Sequence, residues 1–202
     1  MTEVAEGLRE RKKRATRAAL SAAALRLSAE RGMDNVTIEE IAQAVDVSTR
    51  TFFNYFSSKE EAIMADNEQR AEKMYAALLA RPAGEPIMLG VRNAVLAVLD
   101  EIGEPSREWA EQVRLVHKTP SLLPHQMAAN AEVERGLARV IAERTGVDPE
   151  ESMHPALVAA SAGMAVRVAA ERWIDGRGPR SLAELIREAM DQLARGLPTP
   201  DR

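Results

Sequence analysis

Twenty-seven residues, Val36 to Ala62, constrain this chain more than any other segment: VTIEEIAQAVDVSTRTFFNYFSSKEEA. Thr37 followed by Glu40 has the spacing at which each side chain satisfies an orphan amide in the first turn of a helix. Ile38, Ile41, Ala42 and Val45 then recur as the apolar stripe of a short amphipathic helix. Asp46 and Val47 make the turn, Ser48 offers a second N-cap oxygen, and the next helix is expected over Thr49 to Phe56. If the turn needs a positive φ, Asp is among the few residues besides glycine that tolerate it. Two short helices across a tight turn, the second carrying Thr, Arg, Asn and Tyr outward, form the layout that places side chains in the major groove of duplex DNA.

The segment resembles the DNA-binding domain of the TetR family of bacterial transcriptional regulators, with its pattern T-x-x-x-I-A-x-x-x-G-V-S-x-x-T-x-Y-x-Y-F-x-x-K-x-x-L. Thr37, Ile41, Ala42, Val47, Ser48, Thr51, Tyr55, Phe56 and Lys59 match it. Asp46 stands where the pattern has Gly, Phe53 where it has the first Tyr, and Ala62 where it has the last apolar residue. The Phe53 change removes a phenol hydroxyl that would reach a phosphate. The resemblance implies that Tyr55 and Lys59 contact the DNA backbone.

Chemistry assigns the other candidates. Thr49, Arg50 and Asn54 are expected to read base edges, Arg preferring the acceptor pair of guanine and Asn preferring adenine. Thr37, at a helix N-terminus, offers hydroxyl and amide to a phosphate. Arg11, Lys12, Lys13 and Arg14 are expected to reach phosphates or the minor groove. Thr51, Phe52 and Phe56 suit core positions better than contact positions.

The net charge of −4 argues against a DNA binder until it is divided along the chain. Residues 1–59 carry ten Lys/Arg against eight Asp/Glu, and the remainder seventeen against twenty-three. Arg9, Arg11, Lys12, Lys13, Arg14 and Arg17 crowd a stretch whose only acid is Glu10. Local potential, not the overall sum, attracts phosphate. Cysteine is absent, which excludes a disulfide framework or thiolate metal site and suits a reducing cytoplasm. No segment reads as a signal peptide, and the longest apolar run, Pro155 to Ala170, falls short of the ~20 residues a span needs, so no membrane partner is expected.

Long periodic runs broken by Pro and Gly predict an all-α chain. A three-helix helix-turn-helix domain over residues 1–58 is expected to precede a larger helical domain over 59–202. Ala19, Ala22, Ala23 and Leu27 of a first helix (about Arg11 to Arg31, stopped by Gly32) should pack on the two short helices. A long helix that starts within Ser58 to Glu61 and runs to about Leu79 then leads to helices over about Ile87–Ile102, Ser106–His117, His125–Thr145, Glu150–Asp175 and Leu182–Gly196. The next-to-last is apolar on nearly every side and the last is amphipathic, so a two-fold homodimer that buries both in a four-helix bundle is expected. The resemblance implies the same. Such a dimer presents two recognition helices to a roughly palindromic operator of double-stranded DNA.

The family also encloses a small effector among its middle helices. Met74, Leu78, Leu96, Leu99, Trp109, Val113, His117, Leu123, Met127 and Met164 are candidate lining residues. The C-terminal half further resembles the actinobacterial subgroup typified by the mycofactocin regulator, through RLVHKTPSLLPHQ, ERGLARVIAERTGVDP and Glu171 to Trp173. That likeness implies a hydrophobic effector such as a fatty acyl-CoA. An enzyme is not expected: the three histidines, His117, His125 and His154, have no metal-ligand spacing, and no phosphate loop or nucleophile elbow is present. No cofactor or metal is expected. The alternative is a helical scaffold that does not bind an operator.

Overall fold

A computed structural model describes residues 7–103, 106, 110, 114–115, 118–176 and 180–198, and every regular element among them is helical. The chain forms two units, Met1–Asp66 with Glu111–Gln126, and Asn67–Ala110 with Met127–Arg202. The division falls inside a helix, beyond the residue 58 boundary expected from sequence.

The first unit is built on α1 (Leu8–Arg31), α2 (Ile38–Gln43), α3 (Thr49–Phe53) and the opening turns of α4 (Lys59–Leu79). Gly32 ends α1 at φ 83°, its amide donating to the Ser28 carbonyl. Leu20, Ala24, Val36, Ile41, Phe52, Phe56 and Leu122 form the sealed centre of this unit. Full burial of a Phe, Leu or Ile side chain contributes about 1.5–3 kcal/mol, and Phe52 and Phe56 are the largest of the fully buried side chains here. Ala23 and Leu27 are buried as expected, whereas Ala19 and Ala22 are exposed. The packing face of α1 is rotated toward Leu20 and Ala24, because the larger Leu20 removes more apolar area from water.

α3 is a turn shorter than expected. Asn54 donates its amide to Arg50 and Thr51, and Tyr55 and Phe56 both donate to the Phe52 carbonyl, so the chain tightens before Phe56. Asp46 takes φ 57°, the left-handed geometry that the TetR pattern meets with glycine.

The second unit contains the rest of α4, α5 (Ile87–Ile102), most of α6 (Leu123–Thr145), α7 (His154–Ile174) and α8 (Leu182–Ala194). α7 starts later than Glu150 because Pro155, which lacks an amide hydrogen, is tolerated only in a first turn. α8 starts at a capping box between Ser181 and Glu184 and packs on α7 and α5. Leu182, Leu185, Ile186 and Met190 of α8 are buried within the chain; Leu197 is exposed. The helix expected over Ser106–His117 lies largely outside the described residues. No helix among the described residues is long and apolar enough to cross a membrane.

Polar contacts fix the end of α4 to this unit. Arg144 of α6 donates to the carbonyls of Leu78 (3.1 Å), Arg81 (2.8 Å) and Pro82, satisfying acceptors that a helix terminus leaves orphaned. Arg81 grips the Glu85 carboxylate with two nitrogens, and Asn93 of α5 donates to the same carboxylate at 2.8 Å. The Arg81 hydrogen bond holds the Glu85 carboxyl below the usual range, against partial desolvation and with help from Asn93. A depressed folded pKa stabilises the fold above the unfolded carboxyl value of about 4.3, and that stability is lost as pH falls through the folded value. Glu85→Gln should therefore lower the melting temperature at pH 7 and flatten its decline below pH 5. An acid limb unchanged in the variant would remove Glu85 from this role.

Candidate nucleic-acid interface

The turn geometry is set by two caps. Thr37 Oγ accepts from the Glu40 amide at 3.2 Å, while the Glu40 carboxylate accepts from the Thr37 amide at 2.9 Å. Ser48 Oγ accepts from the Thr51 amide at 3.1 Å and lies 2.9 Å from the Thr51 hydroxyl. Phe52 and Phe56 stack into the core with ring centroids 5.7 Å apart, which anchors α3 from beneath. The outward face of α3 and its C-cap then carries Arg50, Phe53 and Asn54, all exposed, beside the half-buried Thr49.

A second surface of the same unit includes Tyr55, which follows α3. Leu8, Arg9, Lys12, Lys13 and Thr16 of α1 line an open cleft together with Tyr55. Three cations of one helix face meet a phenol there, a donor set suited to phosphate oxygens. Arg11 and Arg14, expected as partners of Lys12 and Lys13, are exposed but do not line this cleft. Arg9, a member of the basic stretch, and Thr16 do, and helical spacing with Lys12 and Lys13 is the signal that groups them. Arg17 turns inward, its guanidinium 5.1 Å from the centre of the Phe56 ring.

Two expected backbone contacts are committed inside the unit. Lys59 Nζ donates to the carbonyls of Met33 (2.6 Å) and Val36 (2.9 Å), leaving one of three ammonium donors for a phosphate. The hydroxyl and amide of Thr37 both face the Glu40 carboxylate, which Arg31 also holds at 3.0 Å. The Thr37 amide in particular keeps the Glu40 carboxyl below its usual range.

The residues expected to line an effector site separate. Met74, Leu78 and Leu96 are buried and Leu99 partly so, in the core that α7 and α8 complete. Leu123 (44 % exposed), Met127 (71 %) and Met164 (53 %) face outward instead, because they lie on the solvent sides of α6 and α7. Trp109, Val113 and His117 lie outside the described residues.

A helix-turn-helix unit followed by a larger helical unit is the arrangement expected of a DNA-binding regulator. Residues 20–63 match the model of bacterial regulatory proteins of the tetR family, and residues 85–198 match the MftR C-terminal domain. The chain is 38% identical over 173 residues to the HTH-type transcriptional regulator TcmR of Streptomyces glaucescens, covering 83% of this chain and 76% of that protein. The fold is similar to that of Thermus thermophilus FadR, a TetR family repressor solved with lauroyl-CoA, at TM-score 0.58 and 22% identity over 92% and 97% of the two chains. It is also similar to the fatty acid degradation regulator FadR of Bacillus halodurans, at TM-score 0.60 and 14% identity over 90% and 96%. The chain belongs to the TetR family of bacterial transcriptional regulators. That family assignment takes the place of the scaffold alternative.

Proposed function

We propose that the protein is a homodimeric repressor that holds a palindromic operator through α3 and the α1 cleft and releases it when a small hydrophobic effector binds. The observation that carries this reading is the exposed Arg50 and Asn54, beside the half-buried Thr49, on a helix and C-cap anchored by Phe52 and Phe56. Arg9, Lys12, Lys13 and Tyr55 hold the backbone; Lys59 adds its remaining donor, and Thr37 acts as a cap. Arg11 and Arg14 contribute to the local positive potential. Replacing Arg50 by Ala should cost about 1–3 kcal/mol of discrimination at one base pair per half-site, while leaving the dimer intact. Anisotropy titrations of a duplex enriched from a random pool, repeated with each base changed, measure this. Selectivity equal to that of the unaltered protein would refute the assignment.

Seven residues brought to the second unit or outside the described set remain the effector candidates: Met74, Leu78, Leu96, Leu99, Trp109, Val113 and His117. The MftR-type C-terminal match and the lauroyl-CoA held by Thermus thermophilus FadR support a fatty acyl-CoA as the effector class. Lauroyl-CoA added to the protein–duplex complex should release the DNA, whereas free coenzyme A should not. Equal release by both would remove the acyl chain from the proposal.

The homodimer is assigned mainly to α7. Met153, Leu157, Ala160, Met164 and Val168 follow one another at intervals of three or four residues, and all are exposed in the single chain. Continuous apolar stripes of this kind mark protein interfaces. α8 contributes its flank, its apolar face being already used within the chain.

A further inference from the structure

Phe53 is the last residue of α3 and is 56% exposed, whereas its neighbours Phe52 and Phe56 are 0% and 1% exposed. The fold buries those two rings and leaves most of this one in water, with Phe52 meeting it edge-on at a centroid distance of 5.7 Å. Single exposed apolar residues are common on protein surfaces, so exposure alone would carry nothing. Position decides here. Phe53 stands three residues after Arg50 and Asn54 four after it, so the ring flanks Arg50 on the outward face, on the side opposite Asn54. These are the residues placed to read bases, and a ring among them enters the groove with them.

A phenyl ring has no hydrogen-bonding group, so it cannot distinguish the donor and acceptor patterns of base edges. The only apolar group in the major groove is the 5-methyl of thymine. We propose that Phe53 is a specificity-determining residue that packs on a thymine methyl in the same half-site as the base read by Arg50. The proposal rests on the seating of α3 in the major groove set out above. It also gives the loss of the phenol hydroxyl a consequence: a contact able to hold any phosphate is replaced by one that selects a base.

The test uses the full-length protein and a duplex it enriches from a random pool, with each symmetry-related pair of thymines replaced by deoxyuridine in turn. Removing a buried methyl costs about fourfold in affinity, so one pair should weaken binding by about fifteenfold while the other pairs are near neutral. Phe53→Ala should bind the thymine and uracil duplexes equally, with an unchanged far-ultraviolet circular dichroism spectrum. An enriched duplex in which every uracil pair is neutral, or a variant that keeps the thymine preference, overturns the assignment and leaves the operator reading standing. A Phe53→Ala variant altered only in self-association overturns it as well. A pool that yields no duplex overturns both.

Discussion

Gly136→Ala should destabilise the second unit by about 1–3 kcal/mol, although alanine in a helix interior is ordinarily better than glycine by about 1 kcal/mol. A Cβ built at Gly136 would lie 2.3 Å from the Tyr75 hydroxyl and 2.6 Å and 2.9 Å from its ring carbons. Tyr75 cannot yield without cost, because its hydroxyl donates to the Val133 carbonyl at 2.7 Å across α4 and α6. Burial raises the Tyr75 pKa, as expected of a neutral phenol held at a partly covered contact. Displacing it forfeits a hydrogen bond worth roughly 0.5–1.5 kcal/mol as well as ring packing. Thermal melts of four proteins decide the matter. In a Tyr75→Ala background the same glycine substitution should become neutral or stabilising, since only helix propensity remains. A Gly136→Ala effect of the same sign and size in both backgrounds would mean that the close approach of Tyr75 is not its cause.

Met164→Glu should abolish dimerisation and, with it, operator binding. Met164 is 53% exposed in the single chain, so a carboxylate there meets water and leaves the subunit fold within about 0.5 kcal/mol of its original stability. At a two-fold contact the substitution appears twice, near its own copy. An unpaired buried charge costs about 3 kcal/mol or more, so dimer association should weaken by over about a hundredfold. Sedimentation velocity at micromolar concentration should show a dimer for the unaltered protein and a monomer with the same melting temperature for the variant. A variant that remains dimeric would place the contact elsewhere than on the exposed stripe of α7.

Local chemistry made the recognition unit legible in the sequence. Thr37 with Glu40, Ser48 before Thr49, and Gly32 after Arg31 announce helix ends through groups within a few residues of one another, and the structure has each of them. Asp46 at positive φ belongs with these, because turn geometry depends on few neighbours. Contacts between distant residues were not legible. Nothing local tells that Lys59 turns back to Met33 and Val36, or that Arg144 caps α4. Ala19 and Ala22 fall outside the packed face of α1 because alanines occur on several sides of that helix, and the buried leucines Leu20, Leu25 and Leu27 mark the packed one. Met127 and Met164 look like core by type, yet exposure depends on what lies opposite, which periodicity does not record. The basic run was visible as charge; that Arg9 and Thr16, and not Arg11 and Arg14, share a cleft with Tyr55 needed the helix.

The most direct test of the central claim is the sequence symmetry of duplexes that the full-length protein enriches from a random pool. A pair of identical α3 helices should recover an inverted repeat, its half-sites separated by about one helical turn or a multiple of it. Enrichment of asymmetric sites, or binding in which one subunit suffices for full affinity, would contradict a paired reader and leave α3 acting alone.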